Sequence, residues 1–234
     1  ADRLYTTERS ASGNLQREGV AESRVCFSGN VMIDSLLDSR ERARSAADTL
    51  RLHELDPALL LHPRGYAVVT MHRPSNVDDA AVLGDLLQTL DTVSRQLPLV
   101  FAMHPRTRTN IERHGLRDRL DPSRVAVLPP QGYLEMVGLM AGATLVLTDS
   151  GGLQEETTAL GVPCLTMREN TERPITVEQG TNTMVGRDRT AILDGVADIL
   201  GGRGKRGRVP EYWDGHAAPR IAADLWNWLR AGAH

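Results

Sequence analysis

An α/β fold built on a doubly wound parallel sheet is predicted by three features of the sequence. Short apolar runs of strand length, at 66–71, 99–103, 125–128, 145–148 and 163–167, alternate with longer stretches of helical periodicity. Each run ends in polar residues: His72-Arg73, His104-Pro105-Arg106, Gln131, Asp149-Ser150 and Arg168. In doubly wound sheets ligands bind beyond the carboxyl ends of the strands, so these clusters converge on one candidate site.

Taken in order, residues 1–7 read as the end of a strand, and Thr7 as the cap of a helix over 8–18 that Gly19 stops. Residues 25–27 form a short strand and 28–30 a turn. The arginine-rich pattern over 32–53 reads as one helix with a solvated basic face. After the 66–71 strand, Pro74 excludes ordinary helical backbone at Arg73, which leaves His72 and Arg73 on a loop. Asn76 or Asp78 then caps a helix carrying Val82, Leu83, Leu86, Leu87 and Leu90. Helices over 109–114, 133–140 and 189–200, a glycine- and arginine-rich linker over 201–208 and a terminal helix over 221–229 complete the chain.

The stretch Leu145-Val146-Leu147-Thr148-Asp149-Ser150-Gly151-Gly152-Leu153-Gln154-Glu155-Glu156 reads as a buried strand, a tight turn and a helix N-terminus. Such a turn aims unpaired N–H groups at one point, where the helix dipole also favours a phosphate. A plain strand-to-helix connection uses the same residue types, and both readings stand. Glu155 and Glu156 lie about 100° apart on a helix, so they cannot do the same job.

His72 beside Arg73 suits a diphosphate, and His104 with Arg106 repeats the arrangement one strand later. A structural role for either histidine remains the competing reading. Neither has the spacing of a metal ligand. Ser150 lacks the preceding glycine of a nucleophile elbow, and no Gly-Lys-Ser/Thr follows the glycines. Trp226 and Trp228 read as packing residues.

Composition narrows the classes further. With 41% apolar and 24% charged residues the chain can bury a core, and a net charge of -3 offers no footprint for nucleic acid. No apolar run is long enough to span a bilayer. Cys26 and Cys164 sit in apolar segments, as reduced core residues of a cytoplasmic protein would, and Lys205 is the single lysine.

The motifs together resemble the non-hydrolysing UDP-N-acetylglucosamine 2-epimerases. The resemblance rests on Thr70-Met71-His72-Arg73-Pro74-Ser75-Asn76-Val77-Asp78, Met103-His104-Pro105-Arg106, Pro129-Pro130-Gln131-Gly132-Tyr133, the Thr148 to Glu156 run, Gly161-Val162-Pro163 and Arg168-Glu169-Asn170-Thr171-Glu172-Arg173-Pro174. It implies a Rossmann-like domain, the C-terminal, nucleotide-binding half of a glycosyltransferase-B arrangement. On that footing Ser150, Gly151 and Gly152 hold the diphosphate of UDP or UDP-N-acetylglucosamine with His72 as the catalytic residue beside it. Glu156 takes the ribose hydroxyls, Gln131, Gly132 and Tyr133 frame the uracil, and Arg168 completes the wall. Arg73 and His104 resemble residues that reach a second, regulatory UDP-sugar.

The implied reaction removes the C2 proton, eliminates UDP to leave 2-acetamidoglucal and adds UDP back after protonation on the other face. No cofactor and no metal is implied; a homodimer is. The family's catalytic carboxylates belong to a first domain, of which residues 1–24 resemble only the last strand and helix. The expected layout is that remnant, a UDP-binding domain over 25–208, and a crossover segment and helix over 209–234 whose Trp226 or Trp228 would be exposed. The chain alone is then expected to be inactive. Pro74-Ser75, where many relatives carry Arg-Glu, departs from the pattern at the regulatory site. A non-catalytic UDP-sugar module and half of a glycosyltransferase are the competing functions.

Overall fold

The first parallel pairing joins β1 (Leu4–Thr6) to β2 (Val25–Phe27), in register from Leu4 opposite Val25 to Thr6 opposite Phe27. The computed structural model describes residues 1–231. Helix α1 (Ser10–Arg17) starts later than expected: Arg9, not Thr7, holds the N-cap position, without a side-chain cap. Helix α2 (Val31–Arg40) is capped by Asn30, whose side chain accepts from Met32 N at 3.0 Å. Two compact units divide the chain, Ala1–Glu41 with Val209–His234, and Arg42–Arg208. The boundary expected after residue 24 thus falls after Glu41, because β2 finds its partner in β1.

The single helix expected over 32–53 is two. Helix α3 (Ala46–Leu52) begins afresh because Ser45 caps it, with Oγ accepting from Asp48 N at 3.1 Å. Just before it, Arg44 N donates to Leu134 O at 3.3 Å instead of continuing a helix.

The second unit then alternates strands and helices: β3 (Ala67–Thr70), α4 (Pro74–Val77), α5 (Ala80–Ser94), β4 (Leu99–Ala102), α6 (Pro105–Arg113), β5 (Val125–Leu128), α7 (Tyr133–Ala141), β6 (Leu145–Thr148), α8 (Gly151–Leu160), β7 (Cys164–Thr166), α9 (Pro174–Glu178), β8 (Asn182–Met184) and α10 (Arg189–Leu200). All pairings are parallel, in the order β5-β4-β3-β6-β7-β8. The face alternates with period two along the strands, all of these residues being buried: Ala67, Val69, Leu99, Phe101, Leu145 and Leu147 feed one core cluster, while Val68, Val100 and Val146 feed the other. Both faces are therefore covered, as a doubly wound sheet requires. The strand order reverses between β3 and β6, the position where doubly wound sheets open to ligands.

Several caps differ from expectation. Asp79, rather than Asn76 or Asp78, caps α5, its Oδ1 accepting from Ala81 N and Val82 N at 2.9 Å. Asn76 is instead buried inside the one-turn α4 that Pro74 opens, and Asp78 takes Arg106 Nε at 2.7 Å. Helix α6 starts at Pro105, four residues early, capped by His104. The glycine-rich 201–208 segment is no free linker: Lys205 Nζ donates to the Val177 and Asn182 carbonyls, and Arg208 N to Gln179 O at 2.7 Å.

Returning to the first unit, α11 (Ala217–Ala231) begins before residue 221 because the Asp34 carboxylate accepts from Ala217 N at 3.1 Å and Ala218 N at 2.7 Å. Trp226 and Trp228 are both exposed, at 63% and 41%. The tryptophan that packs is Trp213, which is buried and donates Nε1–H to Thr7 O at 3.0 Å. Among the described residues no helix is long and apolar enough to cross a membrane.

Candidate functional site

The site is built where β3 and β6 end side by side. Thr70 pairs with Thr148 in register, and their hydroxyls lie 2.7 Å apart. The residue after Thr148, Asp149, is fully buried. Its carboxylate accepts from His72 N at 2.9 Å, Arg73 N at 2.8 Å and Asn76 Nδ2 at 3.1 Å. His72 Nδ1 stands 2.8 Å from Asp149 Oδ1. Burial alone would raise the Asp149 carboxyl; the hydrogen bonds from the His72 side chain and from the Arg73 and His72 backbone outweigh it and hold it below the ordinary carboxylate range. An ionised carboxylate only accepts, so Nδ1 carries the proton and Nε2 is the nitrogen left for a ligand.

A cleft of about 200 Å³ lies over this junction, lined by Thr70, His72, His104, Gln131, Ser150 and a few apolar neighbours. The His104 ring lies 5.5 Å from the His72 ring, centroid to centroid. His104 Nδ1 accepts from Arg106 N at 3.1 Å as the cap of α6, so in the neutral ring Nε2 carries the proton. His104 thus has the structural role that stood as its competing reading, and still offers the cleft a donor.

The glycine turn leaves only part of its backbone unpaired. Ser150 opens α8 without a side-chain cap, but its own N–H is taken by Thr148 Oγ1 at 3.0 Å. The donors that remain are those of the first helical turn, Gly151 and Gly152, which have no acceptor within the helix. A Cβ placed on Gly151 would find only Glu172 Oε2, at 3.8 Å, within 4 Å. The protein's own packing does not demand glycine there, and the space in front of the turn is open.

The two neighbouring acids do separate jobs. Glu155 Oε2 pairs with Arg173 Nε at 3.1 Å. Glu156 is buried near Tyr133; burial first, and the nearby Glu155 charge after it, push its carboxyl up to about 7 against the pull of Tyr133. Tyr133, mostly through burial, is pushed up to about 12. Gln131 donates from Nε2 to Pro129 O at 2.7 Å and meets His53.

Not every expected residue gathers in this cleft. Gly132, Tyr133, Gly151, Gly152 and Glu156 do not line it. Arg168 lies in a separate depression of about 430 Å³ with Arg73 and Arg187. Its fork is already engaged, with both Glu172 oxygens at 2.8 Å and Asn170 Oδ1 at 3.1 Å, which draws the Glu172 carboxyl down to about 2. Sequence reasoning also passed over Asp149 and His53. The signal for Asp149 was available: an acid directly after a wholly apolar strand, and before a glycine turn, needs partners if it is to be buried. His53 carries no such signal, since its partner is 78 residues away.

Comparison with known proteins adds to this geometry. The chain is 32% identical over 231 residues to a UDP-N-acetylglucosamine 2-epimerase of Methanocaldococcus jannaschii, covering 95% of this chain and 60% of that protein. It is 36% identical over 228 residues to a UDP-2,3-diacetamido-2,3-dideoxy-D-glucuronate 2-epimerase of Pseudomonas aeruginosa, covering 96% and 60%. The crystal structure of the M. jannaschii UDP-GlcNAc 2-epimerase in complex with UDP-GlcNAc and UDP superposes with a TM-score of 0.83 at 31% identity, over 97% of this chain and 61% of that one. The chain thus spans about three-fifths of the length of these relatives. The family profile described as UDP-N-acetylglucosamine 2-epimerase matches residues 1–225, and the chain belongs to that family.

Proposed function

We propose that this chain is the UDP-binding half of a 2-epimerase that interconverts UDP-N-acetylglucosamine and UDP-N-acetylmannosamine. The observation that carries the reading is the junction of β3 and β6, where buried Asp149 fixes His72 beside the open N-terminus of α8. In the proposed reaction a base removes the C2 proton and the electron pair forms the C1–C2 double bond. The C1–O bond breaks, and UDP leaves with the negative charge. The Gly151 and Gly152 N–H groups and the α8 dipole stabilise that charge as it develops, and His72 joins them as an imidazolium, with Nδ1–H on Asp149 and Nε2–H on the diphosphate. Re-addition of UDP after protonation of C2 on the other face completes the epimerisation.

Among the described residues none that lines the cleft is acidic. The C2 base is therefore assigned to the facing domain that the family resemblance implies, and the chain by itself binds without turning over. Dimerisation is assigned to that domain as well. A cytoplasmic setting agrees with two free thiols. Titration calorimetry with UDP tests the reading directly; a folded sample that gives no heat at millimolar UDP refutes it. Turnover of UDP-N-acetylglucosamine by the chain alone refutes the division of labour.

One observation favours a second substrate. The P. aeruginosa relative, at 36% identity, is named for a sugar that carries a carboxylate, and Arg73 and Arg187 share a depression with the Glu172-paired Arg168 and with Glu169, so a net excess of arginine lines it. A uronate in place of the 6-hydroxymethyl group would meet that positive charge. Competition between the two nucleotide sugars separates the readings: the uronate displaces UDP better only if the arginines face the sugar.

A further inference from the structure

One group reaches into the open space before α8. Glu172 Oε2 is the atom that a Cβ on Gly151 would meet, at 3.8 Å. Helix Cα–Cβ bonds tilt toward the N-terminus, so this oxygen stands at the mouth of α8, where the first-turn N–H groups and the helix dipole favour an anion. The same oxygen accepts from Arg168 Nη1 at 2.8 Å. The other, Oε1, accepts from Arg168 Nη2 at 2.8 Å and lies 3.7 Å from Arg73 Nη2. A helix N-terminus and two guanidinium groups thus surround one carboxylate, the surroundings that suit a phosphate.

The backbone around Glu172 is pinned on both sides. Before it, Thr171 Oγ1 donates to Oε1 of the fully buried Gln154 at 2.6 Å and accepts from Arg173 N at 2.9 Å. After it, Arg173 Nε pairs with the buried Glu155 at 3.1 Å. The Glu172 side chain itself is 54% exposed, so it can swing into water while the loop stays in place. Chiefly through Arg168, its carboxyl is drawn down to about 2, and it keeps its negative charge wherever a nucleotide diphosphate keeps its own.

We infer that Glu172 is a resident anion in the place of the diphosphate, which must displace it to bind and which then takes over Arg168. The inference rests on the UDP reading given above and adds to it a competitor built into the site. Two like charges cannot share the mouth of α8. When the diphosphate enters, the carboxylate gives up Arg168 and turns outward. Arg168 is only 11% exposed, so its guanidinium is costly to leave unpaired. When the ligand departs, the carboxylate returns to it. Affinity is then set by the difference between two anions rather than by the ligand's contacts alone.

Calorimetric titration of inorganic pyrophosphate and UDP into the unsubstituted chain and its variants tests this. Glu172→Gln, which keeps the shape and removes the charge, and Glu172→Ala should each bind pyrophosphate and UDP about three- to tenfold more tightly, with little change in melting temperature. In the Arg168→Met background the gain from Glu172→Gln should largely vanish, since no Arg168 guanidinium then holds the carboxylate at the mouth of α8. Equal or weaker pyrophosphate binding in either folded Glu172 variant overturns the proposal; a weakening marks Glu172 as a support for Arg168 rather than a competitor for it. An undiminished gain in the Arg168→Met background overturns it too, because plain repulsion by a surface acid acts without Arg168. If UDP binds the unsubstituted chain and neither Glu172 variant binds it more tightly, this inference alone fails. If neither UDP nor pyrophosphate binds any of these proteins, the UDP reading itself fails.

Discussion

Asp149 and His72 form a buried-acid and histidine pair across the β3–β6 junction, 2.8 Å apart, with the acid also holding the backbone of the loop that carries the histidine. One carboxylate thus sets the ring nitrogen, the ring orientation and the loop path. Asp149→Ala would leave the His72 N–H, Arg73 N–H and Asn76 amide donors unsatisfied in or near the core. We expect a loss of about 3 kcal/mol or more in chemical denaturation, together with loss of UDP binding. His72→Gln should lose binding with little loss of stability; equal stability losses in the two variants would contradict the hierarchy. The sign of the pH effect follows from the depressed Asp149 carboxyl: its stabilising contribution is complete above the ordinary aspartate value of about 4 and is lost as pH falls through the lower folded value.

Gly151 separates a ligand's demand for glycine from a packing demand. Its surroundings leave room for a methyl group, with the nearest atom outside its chain neighbours and its own helix backbone 3.8 Å away. Gly151→Ala at the first position of α8 should therefore leave stability unchanged or raise it by about 0.5 kcal/mol. If diphosphate oxygens approach the backbone there, UDP affinity should drop at least tenfold, while a melting curve stays in place. Retained affinity would remove this glycine from the anion site.

Much of this was legible in the sequence where structure is local. The five apolar runs became strands, and the polar residues after them fell at carboxyl ends, because burial on both faces of a sheet demands continuous apolar segments. Cap identity was less legible. Asp79 displaced Asn76 because Pro74 opens a separate turn first, and Ser45 divided a pattern that periodicity alone read as one helix. Pairings over long separations were not legible at all. The contacts of His53 with Gln131 and of Asp149 with His72 join residues 78 and 77 apart.

Gly138 illustrates the same limit. It reads as an unremarkable residue within an apolar helix, yet a Cβ there would fall 1.7 Å from the Arg44 carbonyl oxygen. The glycine lets the segment before α3 lie directly on α7. Gly138→Ala would part the two backbones and should cost about 2–4 kcal/mol in a denaturant titration, despite the better helix propensity of alanine. A stability equal to that of the unsubstituted chain would mean that this approach is not needed.

If Glu156 takes the ribose hydroxyls, as the family resemblance implies, its protonation is coupled to ligand. Its carboxyl is raised to about 7 chiefly by burial, so the folded chain binds a proton that the unfolded chain releases above about 4.3. The group's contribution to stability is fully present below that unfolded value and is lost as pH rises through about 7. Glu156→Gln, neutral at every pH, should therefore be the more stable form at pH 8, by about 3 kcal/mol as an order of magnitude, and should lose that advantage by pH 4. UDP should show the opposite trend. An ionised carboxylate accepts two ribose hydroxyls more strongly than a protonated one, so affinity should rise between pH 6 and pH 8 in the unsubstituted chain. In Glu156→Gln the affinity should be lower and flat over that range. Calorimetric titrations at the two pH values decide it: a pH-independent affinity in the unsubstituted chain, or the same slope in both proteins, would take the ribose away from Glu156.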